Sequence, residues 1–254
     1  MNTAFAEPAR PPAPWRWNSL AAPQRFLAFS AACLPWLWAA VAMAGAAGLY
    51  VGFFLAPTDH QQGEAYRVIF IHVPAAWMSM LIYLVMAAWA VWGWASKARL
   101  ASLYARALAP TGALFTFIAL WTGAFWGKPT WGTWWVWDAR LTSEFVLLLL
   151  YLGYIALVQS IPDPRRADQA GALLALVGVV NLPLIYFSVR WWNTLHQGAS
   201  ISATAAPRMA DTMLAGLLLC TAACWAYAFA LAFTRTRTLV LRSERERRDG
   251  EGAQ

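Results

Sequence analysis

Apolar residues gather into six long runs, at about 36–56, 70–94, 107–126, 142–160, 170–189 and 212–233, with short polar segments between them. A helix needs about 20 apolar residues to cross a hydrocarbon layer of roughly 30 Å, and each run is of that order. The pattern predicts an all-α integral membrane protein, a bundle of six transmembrane helices, with no soluble domain of any size. Inside the runs a few residues foretell local shape. Ala44, Gly48 and Gly52 recur at four-residue spacing and give the first run a small-residue face, which lets another helix approach closely. Packing within the bundle is the simpler use of that face, and a homodimer seam is the alternative. Pro74 suits the first turn of a helix, where its missing N–H needs no partner, and this sets His72 near the end of the second span. Asn181 and Pro183 predict a kink in the fifth. The two prolines of Ile161-Pro162-Asp163-Pro164 predict a turn before it.

Composition sharpens this picture. The chain of 254 residues is 60% hydrophobic and only 12% charged, with a mean hydropathy of +0.47, whereas a soluble domain carries about one charged residue in four. The formal charge of +7 would suit nucleic acid, but the cations lie in short segments beside the runs, where topology accounts for them. With both termini cytoplasmic, that side holds fourteen of the 19 Lys and Arg, and the other side keeps Arg67, Lys128, Arg140, Arg190 and Arg208. The positive-inside rule therefore turns the segments before spans two, four and six outward. Residues 1–25 are rich in Pro and Ala and lack the apolar core of a cleavable signal. They are expected to form a cytoplasmic tail, followed by a membrane domain over 26–234 and a charged cytoplasmic tail over 235–254.

One outward segment stands apart. Trp131-Gly132-Thr133-Trp134-Trp135-Val136-Trp137-Asp138 has four tryptophans in seven positions, closed by a carboxylate and followed by Arg140. Each indole is a large flat apolar face with one N–H at its edge. The cluster is either a belt at the hydrocarbon–headgroup border or a platform for a planar ligand. Four indoles in one loop exceed what anchoring needs, and Asp138 adds a charge that a belt has no use for. A second outward segment, Arg190-Trp191-Trp192-Asn193-Thr194-Leu195-His196, repeats the pairing of indoles with a histidine.

All three histidines fall on the outward side, and His72 and His196 flank the tryptophan-bearing segments. Either one alone reads as an ordinary interfacial residue. Together they suggest opposed imidazole ligands to a haem iron, with the octet as an apolar wall and Arg67, Lys128, Arg140 or Arg190 meeting the propionates. Glu144 reads as a carboxylate near the start of the fourth helix, where the helix dipole favours it, with a proton relay as the alternative. Cys33, Cys220 and Cys224 lie in or beside apolar segments without a C-x-x-C or C-x-x-C-H spacing, which excludes a thiol oxidoreductase and a c-type cytochrome.

The octet resembles the tryptophan-rich WWD signature of a haem-handling superfamily. With Ile71-His72-Val73-Pro74-Ala75 and Trp191-Trp192-Asn193-Thr194-Leu195-His196-Gln197-Gly198 in this order, the chain is similar to the haem exporter protein C (CcmC) family of the cytochrome c maturation system. The resemblance covers spans one to six and omits the tails. It implies a multi-pass protein of the bacterial inner membrane that holds haem b at the periplasmic face, His72 and His196 as axial ligands of the iron. Trp131, Trp134, Trp135, Trp137 and Asp138 would contact the haem, with Arg67 and Arg140 beside it. It also implies partners: the ATPase and membrane subunits of an ABC transporter, a small single-span membrane subunit and a periplasmic haem chaperone. The chain would be a non-enzymatic subunit, since it carries no nucleotide-binding motif; no nucleic-acid partner is expected. Alternatives are a haem-ligase-like member of the same superfamily and a small-substrate transporter. The ligase would be larger and richer in histidine. A transporter would place ionisable groups near mid-membrane, where this chain offers little beyond Asn181 and Ser188. A quinol-linked redox enzyme would need further histidines in its spans.

Overall fold

The computed structural model describes residues 22–196, 201 and 206–252. Most of the expected N-terminal tail lies outside the described residues, as do Gln197 and Gly198. Among the described residues the regular elements are helical, apart from one isolated bridge between Asp59 and Gly63. Helix α1 (Pro23–Tyr50) runs on as a π-helical turn over Val51–Leu55, and a 3-10 turn over Glu64–Val68 leads into α2 (Ile69–Ser96). Then come α3 (Arg99–Trp131), α4 (Ala139–Ser160), α5 (Pro164–Gly178), α6 (Asn181–Trp191) and α7 (Asp211–Gly252). Six helical stretches are long and apolar enough to cross a membrane, α5 and α6 together forming the fifth.

Helix ends follow their residues. Asp138 caps α4, its carboxylate accepting from the Leu141 N–H at 2.8 Å, and Asp163 caps α5 through the Arg166 N–H at 2.7 Å with Pro164 at the first helical position. Both side chains satisfy donors that a helix start leaves open. The kink expected from Asn181 and Pro183 is a break at Val179–Val180 between α5 and α6. It is held by the Asn181 side-chain amide donating to the Ser143 carbonyl at 2.8 Å.

Two expected boundaries shift. The basic connection after the second span is only Lys97 and Ala98, Lys97 turning the chain at φ 56°, and Arg99 to Arg106 already belong to α3. Arg99 and Arg106 both pair with Asp168 on α5, so these cations hold helix ends together rather than lining a loop. The second span also starts earlier than Pro74 suggests. A proline beyond the first turn loses the bond its own N–H would make and crowds the carbonyl four residues back, yet α2 is already under way at Ile69 and carries Pro74 inside it.

The interior is built on α2, α3, α4 and α5, with Tyr83, Met86, Leu147 and Tyr151 fully buried, and α7 packs against this core through Ala228 and Ala232. Helix α1 lies outside, against α7. A Cβ on Gly48 would meet Cys220 at 2.7 Å, and one on Gly52 would meet the Phe70 ring at 2.6 Å. The small-residue face is spent on packing within the bundle, as its spacing suggested.

Candidate functional site

The tryptophan octet is a tight link between two spans. Trp131 is the last residue of α3, Gly132 takes the left-handed conformation at φ 78°, and Asp138 caps α4. A glycine suits that position because a Cβ would be strained there. The turn is fixed from inside by Thr133, whose hydroxyl donates to the Trp135 carbonyl at 3.0 Å. Lys128 donates from Nζ to the Gly132 carbonyl at 3.1 Å, which ties this cation to the helix end. Trp135 packs edge-on against Trp137 and Phe145, while Trp134 and Trp137 are 51% and 76% exposed. The loop therefore offers indole faces outward on a base of packed ones.

His72 sits in the first turn of α2 and faces α3. Its Nδ1 lies 3.1 Å from the Thr122 hydroxyl, and its ring meets the edge of Trp126 with centroids 5.6 Å apart. Trp126 is held in turn by its indole N–H donating to Gln62 at 2.8 Å. A Cβ on Gly123 would stand 3.0 Å from the imidazole, so only a glycine leaves the ring its present place.

His196 follows α6, with its ring tilted against Trp131 at 5.4 Å between centroids. Nδ1 faces Asp138 Oδ2 at 3.8 Å. Both atoms are buried without a hydrogen-bond partner among the described residues. Burial, reinforced by the positive charge of Arg140 and opposed by Asp138, pushes the imidazole down from 6.5 to about 4. The ring is thus neutral at neutral pH, the state in which imidazole ligates metals.

The two histidines, 124 positions apart in the sequence, line one small cleft together with Ala76, Ala119, Arg140 and Glu144. A second small cleft adjoins it, sharing Leu141 and His196 and walled by Trp131, Trp134 and Trp135. Each histidine is also backed by an indole, Trp126 for His72 and Trp131 for His196. Arg140 anchors itself through Nη1 to the Ile185 carbonyl at 3.0 Å. Glu144 is not the helix-start carboxylate expected: Asp138 takes that role, and Glu144 is buried, accepting from Ser79 at 2.7 Å.

Not every candidate joins this cluster. Arg67 turns to the end of α1, bonding Glu64 and donating to the carbonyls of Gly52 at 2.6 Å and Ala56 at 3.2 Å. Arg190 and His60 are exposed, and neither lines the two cavities.

A profile of the family described as heme exporter protein C (CcmC) matches residues 16–250. The chain belongs to that family. Heme exporter protein C of Escherichia coli strain K12 is 54% identical over 183 residues, which is 72% of this chain and 75% of its own. The protein of the same description from Bradyrhizobium diazoefficiens is 50% identical over 204 residues, 80% of this chain and 77% of its own. That of Paracoccus denitrificans is 46% identical over 189 residues, 74% and 78% respectively. With six candidate spans, this heme exporter protein C family member is a multi-pass membrane protein.

Sequence reading of this family member missed Thr122, Gly123, Trp126 and Gln62. The signal for the first three was available: Thr122-Gly123-Ala124-Phe125-Trp126 puts a hydroxyl, a gap and an indole within about one helical turn at the end of α3, beside the octet. Their use became visible only when α2 was laid against α3.

Proposed function

We propose that this chain binds haem b at the periplasmic face of the bacterial inner membrane and delivers it to a periplasmic haem chaperone during cytochrome c biogenesis. It would do so as the non-enzymatic subunit of an ABC-type complex, with the ATPase and membrane subunits and a small single-span subunit as partners. The observation that carries the reading is the cavity wall shared by His72 and His196. Two imidazoles from distant segments, one held neutral by its surroundings, meet beside exposed indoles and one half-buried guanidinium.

That donor set fits a haem. The Thr122 hydroxyl at His72 Nδ1 and the Asp138 carboxylate facing His196 Nδ1 would leave each ring's Nε2 as the nitrogen for the iron. Trp134 and Trp137 give the macrocycle a flat apolar face to lie on, and Arg140 is the cation assigned to a propionate. Bound there, haem supplies the iron that the imidazoles ligate. The chain's own part is to orient both rings, cover one porphyrin face and leave an edge open for the chaperone. With both termini cytoplasmic, the cavity end of the bundle faces the periplasm, as the Lys and Arg distribution favours.

The experiment that tests this is a set of substitutions on the wall. Trp134→Ala and Trp137→Ala should lower the haem retained by the purified protein several-fold while its amount in the membrane stays as in the wild type. Loss of the protein itself would instead favour a membrane-anchoring belt. Arg140→Gln and Arg67→Gln should part company. The first is expected to lower haem retention. The second is expected to lower thermal stability, since its charged donors hold the end of α1 and such bonds contribute about 1.5–3 kcal/mol each, with retention near normal. Equal loss of haem in both would assign Arg67 to the propionates as well.

A further inference from the structure

We propose that the two imidazoles are unequal ligands: Asp138 is a positioning residue that makes His196 the stronger donor, while Thr122 holds His72 as the weaker, exchangeable one. This rests on the reading of His72 and His196 as the iron ligands.

The difference lies in what each Nδ1 faces. A threonine hydroxyl has one proton to give. Thr122 gives it to the Ile118 carbonyl one turn back at 2.6 Å, so towards His72 Nδ1, 3.1 Å away, the oxygen is an acceptor. The ring proton of His72 therefore sits on Nδ1, and Nε2 keeps the lone pair. The acceptor is a neutral hydroxyl that adds little electron density to the ring.

His196 faces a carboxylate. Asp138 commits Oδ1 to the Leu141 N–H, and its Oδ2 stands 3.8 Å from His196 Nδ1, both atoms buried and without other partners among the described residues. Two complementary buried groups left bare are each destabilising, and pairing them relieves both. Closing the gap by about 1 Å makes a charge-assisted bond of ordinary length. A small rotation of the imidazole, which lies tilted against Trp131, is enough to close it. A carboxylate on the far nitrogen of an imidazole fixes its tautomer and raises the basicity of the ligating nitrogen. His196 thus becomes the firmer ligand.

A carrier that passes its cargo on gains from this asymmetry. One bond keeps the haem registered on the indole platform while the other opens to admit a ligand from the recipient. The ring on α2 is the one that opens.

The test uses the haem-loaded full chain. In the ferrous protein, carbon monoxide should displace the weaker imidazole. The carbonyl stretching frequency of wild type should then coincide with that of His72→Ala and differ from that of His196→Ala. Asp138→Asn keeps a capping oxygen for α4 and replaces the carboxylate oxygen that faces His196 with a neutral amide N–H donor, so the tautomer that Asp138 favours loses its acceptor as well as its charge. This variant is expected to raise the midpoint potential, shift that stretching frequency and lower haem affinity about tenfold. Thr122→Val should leave the frequency of the carbon monoxide complex unchanged. A wild-type complex that matches His196→Ala, or an Asp138→Asn protein unchanged in both potential and frequency, would overturn the assignment of strong and weak ligand. Retention of a six-coordinate spectrum by both single histidine variants would overturn the ligand reading itself, and this inference with it.

Discussion

The His72→Ala, His196→Ala double variant is expected to reach the membrane at wild-type levels and to lose the six-coordinate haem spectrum entirely. The expectation follows from where the rings sit. Neither imidazole is part of the buried core around Tyr83, Met86, Leu147 and Tyr151, and each contacts mainly a partner at the cavity end, Thr122 and Trp126 for one, Trp131 for the other. Truncation at a cavity wall removes a donor without opening a hole in the packing, so the stability cost should fall within about 1 kcal/mol, at the small end of the range for point substitutions. Ligation has no such reserve. Among the described residues no group of three His, Cys, Asp or Glu is placed to hold a metal, and the third histidine, His60, is exposed on the loop before α2. Each single variant should be five-coordinate, and added imidazole should restore the sixth ligand to either. Absorption spectra of the purified proteins, with membrane levels followed by immunoblot, decide the matter. A normal spectrum in the double variant would remove both residues from the iron.

How much of this was legible before the fold was known differs by element. The six spans were plain, because twenty apolar residues between charged segments have few other uses in a chain this poor in charge. The break in the fifth span was also written in Asn181 and Pro183. Glu144 was misplaced for a definite reason. Its place at the start of the hydrophobic run suggested a helix end, but Asp138 had already capped the helix six residues earlier, which left Glu144 about one and a half turns inside and facing Ser79 on α2. A contact that closes across helices 65 positions apart leaves no trace in local pattern. The same holds for Thr122 and Trp126, ordinary residues of an aromatic-rich span until α2 places His72 beside them. Arg67 was grouped with the outward cations by its side of the membrane alone. Its fork is taken up by carbonyls at the π-helical end of α1, and nothing in the sequence signals that a helix will finish with a π turn.

The largest structural effect should come from Gly112→Val, far from the cavity end. Gly112 lies at the middle of α3, and a Cβ there would stand 2.1–2.2 Å from the ring and hydroxyl of Tyr151. Tyr151 has no room to retreat. It is fully buried, its hydroxyl donates to the Ser79 carbonyl at 2.8 Å, and its ring meets Tyr83 edge-on at 5.0 Å between centroids. Tyr83 is hemmed in by Gly178 on α5, where a Cβ would come within 1.9 Å of its hydroxyl. Overpacking a core commonly costs 1–3 kcal/mol when a flexible side chain can move aside, and here a rigid ring locked on two sides must move, so about 3 kcal/mol or more is expected. The displacement would also reach the site, because Ser79 links Tyr151 by its carbonyl to Glu144 by its hydroxyl. Gly112→Val should therefore accumulate poorly and, where it can be purified, unfold at a temperature well below wild type with haem binding lost alongside. Pairing it with Tyr151→Leu, which removes the ring that the new methyls strike, should recover part of the melting temperature. Failure of that second change to restore any stability would mean that the tight contact between α3 and α4 is not where the substitution acts.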